Sequence, residues 1–142
     1  MILVDSVGVK VGGREDRDIA DVFSTSHQEL TRLGWHNPAL APDIAKMSDE
    51  EVQTIANNRI ALSLYGWEPY LHNPRLKYRL HRVTVPTLLI WGASDGIVTP
   101  AYGRGLQAMI PGAQMSVIPA AGHSPQVEQA SAFVEQVLRF IG

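Results

Sequence analysis

The sequence predicts an α/β fold of about three parallel strands with flanking helices and a helical insertion. Three apolar runs carry that reading: Ile2–Asp5, Thr87–Trp91 and Met115–Ile118. Each is short and bounded by turn residues, as expected of a strand buried in a parallel sheet. Helical sequence follows the second and third runs, the alternation that βαβ units require. A third observation is that the second and third runs end in polar turns with an ionisable residue, Asp95 in one and His123 in the other.

Taken in order, the first run leads through Gly8 into a polar, turn-like segment, Gly12–Arg17. Ile19, Val22, Phe23, Leu30 and Leu33 suggest a helical stripe closed by Gly34, and Asn37-Pro38 and Ala41-Pro42 mark a loop. Ser48-Asp49-Glu50-Glu51 reads as a capping box, in which the serine accepts from the amide of Glu51 and that glutamate reaches back. The helix it opens carries Val52, Ile55, Ala56, Ile60 and Leu64 at helical spacing and ends near Gly66. Pro100 suits the first turn of a helix bearing Leu106, Met109 and Ile110. Phe133, Val137, Phe140 and Ile141 stripe the last helix.

Composition narrows the function. The 142 residues are 45% hydrophobic and 18% charged, values of a globular chain and not of a disordered one. That length supports one domain with a core, whereas a complete doubly wound α/β domain of this kind usually takes more than about 200 residues. A net charge of −2 without a basic stripe argues against nucleic-acid binding. No cysteine means no disulfide framework and no thiolate metal site, and the reading calls for no cofactor and no metal. Only three apolar residues separate Met1 from Asp5, too few for a signal peptide or a span, so the expectation is a soluble, cytoplasmic chain with no membrane partner.

The chemistry lies in two turns. Thr87-Leu-Leu-Ile-Trp-Gly-Ala-Ser-Asp95-Gly ends a strand on a carboxylate, and Ala121-Gly122-His123-Ser124-Pro125 presents an imidazole after the next strand. An acid and a histidine in that order form the acid–base half of a Ser…Asp…His triad. The carboxylate would hold one imidazole tautomer and stabilise the imidazolium formed when a serine gives up its proton. The pattern V-P-T-L-L-I-W-G-x-x-D followed by I-P-G-A-x-x-x-x-I-P-x-A-G-H-x-P-x-x-E, from Val85 to Glu128, resembles the C-terminal end of the α/β-hydrolase superfamily. Met1-Ile-Leu-Val-Asp-Ser-Val-Gly is similar to that family's strand after the nucleophile helix.

The resemblance implies a partial α/β-hydrolase fold. Residues 1–11 and 83–142 would be the C-terminal part of the core, and residues 12–82 a helical cap or lid. It implies Asp95 as the acid and His123 as the base, with Trp35, Trp67 and Tyr70 as cap aromatics that line the substrate pocket or simply pack. The family's HG oxyanion loop and nucleophile elbow have no counterpart where they should stand. The expected function is therefore the C-terminal portion of a carboxylesterase-like hydrolase of small-molecule esters, incomplete and inactive alone.

One literal elbow match exists. Gly92-Ala93-Ser94-Asp95-Gly96 fits G-x-S-x-G, but an elbow needs a helix directly after the serine, and Ile97-Val98-Thr99 intervene before Pro100. A turn serine is the better reading. Asp95 also has a bland explanation, since such an Asp commonly bonds its own backbone. Glu128 is explained by a helix N-terminal turn. His27, His36, His72 and His81 read as surface or cap residues, and Ser6 and Ser124 as isolated hydroxyls. Two alternatives stand beside the hydrolase reading: a non-catalytic binding or assembly module, and a weak esterase using Ser94 or Ser124. Because the first strand would present an unpaired edge beside apolar surface, a homo-oligomer through Met1–Asp5 is also expected.

Overall fold

The apolar run of the second strand lies at the centre of the molecule. In the computed structural model, which describes residues Met1–Gly142, strands β1 (Ile2–Val4), β2 (Leu88–Gly92) and β3 (Gln114–Ile118) form one sheet in the order β1-β2-β3. Both pairings are parallel, with Leu3 opposite Leu89 and Ile90 opposite Ser116. All five residues of β2 are buried. That is why the run is continuous rather than alternating: a central parallel strand has apolar neighbours on both faces.

The two faces carry different helices. Leu89 and Trp91 point to the side where Tyr102 and Leu106 of α3 (Pro100–Met109) pack with Val9, Ile19 and Leu80. Leu88 and Ile90 point to the other side, toward Phe133, Val137 and Phe140 of α5 (Ala130–Ile141). Between the last strand and α5 lies a single helical turn, α4 (Pro125–Glu128). The Trp91 indole donates to the Val98 carbonyl at 2.7 Å, and the Tyr102 hydroxyl donates to the Val9 carbonyl at 2.8 Å. Both buried polar atoms are thereby satisfied, as a dry core demands.

The insertion between β1 and β2 holds α1 (His27–Gly34), α2 (Asp49–Gly66) and three short 3₁₀ turns. Ser26 caps α1 by accepting from the Glu29 amide at 3.2 Å. The reciprocal Ser48–Glu51 capping box opens α2 as the sequence implied.

Two expectations need correction. The stripe from Ile19 to Leu33 is not one helix: residues 19–25 are turns and bends, and helix begins only at His27. There the Asp21 carboxylate accepts from the Phe23 and Ser24 amides, an alternative to helical bonding that aspartate offers readily. Ile19 is buried as a single inserted residue instead. On α2, the apolar positions Val52, Ile55, Ile60 and Leu64 are exposed, Leu64 by 76%, and only Gly66 of this helix is buried. Periodicity identified the helix but not a covered face.

Candidate active site

The carboxyl ends of the three strands converge, and each supplies one ionisable side chain. Gly92 ends β2, and a Cβ there would run into the carbonyls of Ala121 and Gly122. Its bare backbone lets the two turns meet, and the Ala93 and Ser94 amides donate to Ile118 and Ala121 at 2.9 and 2.8 Å. Asp95 follows in this laced turn and is 3% exposed.

The Asp95 carboxylate divides its work. Its Oδ1 accepts from the amides of Ile97 and Val98 at 2.8 and 2.9 Å, fixing the turn. Its Oδ2 lies 2.8 Å from Nδ1 of His123. The structural and the chemical explanation of this residue thus coexist, one on each oxygen. With Nδ1–H directed at a carboxylate, Nε2 is left as the proton-accepting nitrogen.

His123 is held from the insertion as well as from the sheet. Its amide donates to the Gly34 carbonyl at 2.7 Å, and the Gly96 amide donates to Leu33 at 2.8 Å. The C-terminal carbonyls of α1 therefore find partners in the two site turns. Burial works to lower the imidazole's affinity for a proton, but the hydrogen bond and charge of Asp95, with the charge of Asp5, outweigh it and hold His123 above its ordinary value.

Asp5 is the site residue that sequence reasoning missed. It leaves β1 with φ of 39° and is 5% exposed. Oδ1 accepts from the Gly92 amide at 3.0 Å, while Oδ2 is buried without a partner. Burial raises its pKa from 3.8 to about 7; the Gly92 amide opposes the rise and the Asp95 charge adds to it. Acid-terminated strands 1 and 2 beside a His-terminated strand 3 were a readable signal, because parallel strands bring their carboxyl ends to one edge. Oxygens of Asp5 and Asp95 and a ring nitrogen of His123 all lie within 4.8 Å of one another. These are donor types a divalent cation accepts. Two of the three, however, already close on each other through a hydrogen bond, and no metal is assigned to them.

Glu128 does more than favour a helix terminus. Its Oε1 accepts from the Asn37 amide at 2.8 Å and its Oε2 from the Gly122 amide at 2.5 Å, tying the insertion to the histidine turn. His36 is exposed, as expected, but its Nδ1 lies 2.8 Å from Oγ of Ser94. Ser94 is thus brought to His36 and not to His123, and no helix follows it until Pro100. Ser6 has a buried hydroxyl without a partner.

Of the aromatic candidates, Trp35 has its backbone against Gly122 in the histidine turn, whereas Trp67 and Tyr70 lie elsewhere. Trp67 and Tyr70 line an open groove of about 430 Å³ together with Asp18, Asp21 and Arg17, a groove that neither Asp95 nor His123 lines. The Tyr70 hydroxyl donates to Ala20 at 2.6 Å and accepts from Val22 at 2.8 Å, so it is engaged with backbone. Trp35 caps the end of α1 and is half-buried.

Residues 16–130 match the family model described as the alpha/beta hydrolase fold. The chain belongs to that family. A 2-hydroxy-6-oxononadienedioate/2-hydroxy-6-oxononatrienedioate hydrolase of Comamonas testosteroni is 38% identical over 113 residues, 80% of this chain and 35% of its own length. The protein of the same description from Cupriavidus pinatubonensis is 45% identical over 64 residues, 45% of this chain and 22% of that one. A putative 2-succinyl-6-hydroxy-2,4-cyclohexadiene-1-carboxylate synthase of Bacillus subtilis is 26% identical over 132 residues, 89% of this chain and 48% of that one. The chain spans less than half the length of each of these relatives. Among solved structures, a membrane phospholipase A superposes with a TM-score of 0.64 over 99% of this chain and 47% of that one, at 17% identity, a likeness of fold. No helix here is long and apolar enough to cross a membrane.

Proposed function

We propose that this chain carries the acid and base of an α/β-hydrolase that cleaves small-molecule esters or related acyl compounds. The observation behind this is the 2.8 Å contact between buried Asp95 and His123 at the ends of adjacent strands. In the reaction, a serine hydroxyl attacks the acyl carbon, and His123 Nε2 takes the hydroxyl proton. The tetrahedral intermediate collapses as His123 returns that proton to the leaving oxygen. Water then repeats the cycle on the acyl-serine, with His123 again base and then acid. Asp95 holds the tautomer and balances the imidazolium. Residues 1–11 and 83–142 act as core and residues 12–82 as cap, in which Trp35 is the aromatic beside the histidine turn and Trp67 and Tyr70 serve the separate groove they line. The setting proposed is the cytoplasm.

Asp95 and His123 supply neither the nucleophile nor the oxyanion donors, and each donor alone is worth about 3 kcal/mol of barrier. The chain by itself should hydrolyse a nitrophenyl ester no faster than its His123→Ala variant. The Ser94–His36 contact favours one competing reading, a residual esterase nucleophile at Ser94. A burst of nitrophenol abolished by Ser94→Ala would select that reading and overturn the first.

The same proposal includes self-association. Strand β1 is an edge of the sheet, and Met1 is exposed beside it. Such an edge is a template for another strand. Pairing with a second copy through Met1–Asp5 should appear as a dimer or larger species in light scattering at tens of micromolar, and a monomer there would refute it.

A further inference from the structure

Lone-pair counting at the strand ends leaves one pairing open. The Asp95 Oδ1 serves two amides, and Oδ2 serves His123 and has capacity for one more donor. Asp5 Oδ1 serves the Gly92 amide, and Asp5 Oδ2 is buried with nothing to bond. The two carboxyls and the imidazole lie within 4.8 Å of one another. An ionised pair so placed would repel, and an unpartnered carboxylate oxygen in that position would forfeit its solvation. A proton on Asp5 removes both costs with one hydrogen bond.

We propose that Asp5 is carried as a neutral carboxylic acid whose Oδ2–H donates to the Asp95 carboxylate, making Asp5 a positioning residue for the Asp95–His123 pair. This rests on, and deepens, the acid–base reading of Asp95 and His123. The array is then carboxylic acid, carboxylate and imidazole, with one negative charge in place of two. When Asp5 ionises, a second negative charge arrives beside the imidazole and stabilises its protonated form, so the two titrations are linked. The titratable groups facing Asp5 are Asp95 from the β2 turn and His123 from the β3 turn. Glu128, on the far side of the histidine turn, is engaged with the Asn37 and Gly122 amides. The left-handed backbone at Asp5, φ 39°, directs the chain out of the strand where the carboxyl must turn inward.

Carboxyl-carbon NMR on the full chain tests this directly and needs no variant. The Asp5 carboxyl should titrate near 7. An Asp5 carboxyl that titrates in the ordinary range near 3.8 would overturn the proposal. Imidazole NMR supplies the second reading. Asp5→Asn keeps a neutral hydrogen-bond donor but cannot ionise, so the His123 midpoint should fall by about half a pH unit, roughly threefold in proton affinity. A merely structural Asp5 would leave that midpoint in place. Asp95→Asn separates the two readings. If it fails to move His123, the acid–base assignment itself is wrong; if it moves His123 while Asp5→Asn does not, only the shared proton is wrong. Displacement of the Asp95–His123 proton by added Zn²⁺, reversed by a chelator, would make the cluster a cation site and would also overturn the proposal.

Discussion

The Glu128 carboxylate accepts the backbone N–H of Gly122 at 2.5 Å, one residue before His123. Its other oxygen accepts the Asn37 amide at 2.8 Å, so a single side chain fixes the histidine turn against the insertion. Hydrogen bonds to a charged acceptor contribute about 1.5–3 kcal/mol each. Glu128→Gln leaves one accepting oxygen and turns an amide NH₂ toward the other donor. We expect it to lower unfolding stability by about 1–3 kcal/mol in urea, with the slope unchanged, and to broaden the His123 ring resonances. An unshifted midpoint would show that the turn is held without it.

Close approach of backbone sets the second prediction. Gly92 faces the carbonyls of Ala121 and Gly122, which are backbone and cannot rotate aside. Gly92→Ala must separate the β2 and β3 turns, the same separation that would break the 2.8 Å Asp95–His123 contact. A loss of more than about 3 kcal/mol, or failure to fold, is expected from overpacking against rigid groups. Wild-type stability in this variant would contradict the geometry of the site.

These two residues show what the sequence made legible and what it did not. The strands were readable because continuous apolar runs in a βαβ order admit few other structures; each observed strand lies within one residue of its expected span. Asp95 and His123 were readable because each ends such a run in a turn. Asp5 went unread because an acid at a strand end has no local signature; its signal lies only in setting the three parallel strand ends side by side. Glu128 and His36 act through backbone and serine groups far away in sequence, Glu128 on Asn37 and His36 on Ser94, contacts that only the fold creates. The Ile19–Phe23 segment misled because apolar spacing cannot register the competing Asp21 side-chain bonds.

Between pH 5 and pH 8, above the range where the lowered carboxylates Asp21, Glu29 and Glu51 titrate, stability should fall as pH rises. Asp5 has a folded-state pKa raised to about 7, so the native state holds a proton that the unfolded chain releases near 3.8. His123 is also raised in the folded state, and its contribution is full below its ordinary value of 6.5 and lost above its folded value. Both signs agree: the unfolded state binds fewer protons, and unfolding free energy declines with pH. The Asp5 share is on the order of a few kcal/mol between pH 4 and 8. Urea midpoints at pH 5 and pH 8 should differ in that direction, and Asp5→Asn should remove most of the difference. A midpoint that rises with pH would refute the assignment.

Trp91 tests the core rather than the site. Its ring is fully buried between α3 and β2, and its Nε1–H satisfies the Val98 carbonyl in the turn after Asp95. Trp91→Ala should cost about 3–5 kcal/mol, the range for deleting a buried large aromatic side chain. Trp91→Phe keeps most of the apolar volume but orphans the Val98 carbonyl, and about 1–3 kcal/mol is expected. Equal effects of the two would mean that the hydrogen bond lost in both carries the whole cost and the ring volume none, whereas a Trp91→Phe chain as stable as wild type would mean that the hydrogen bond contributes nothing measurable.

The apolar positions of α2 provide the opposite case. Ile55 is 43% exposed and Ile60 58%, and no core residue covers either. A side chain that stays in water when folded has little transfer free energy to lose. Ile55→Lys and Ile60→Lys should therefore change unfolding stability by no more than about 0.5 kcal/mol each in dilute solution. Leu89→Ala, at a fully buried position of β2, should cost about 2–5 kcal/mol. The contrast separates two meanings of an apolar stripe, one that builds the core and one that only marks a helix. Were Ile60→Lys to cost as much as Leu89→Ala at concentrations where the chain is monomeric, α2 would have to lie against the body of the protein, and its exposed placement would be wrong.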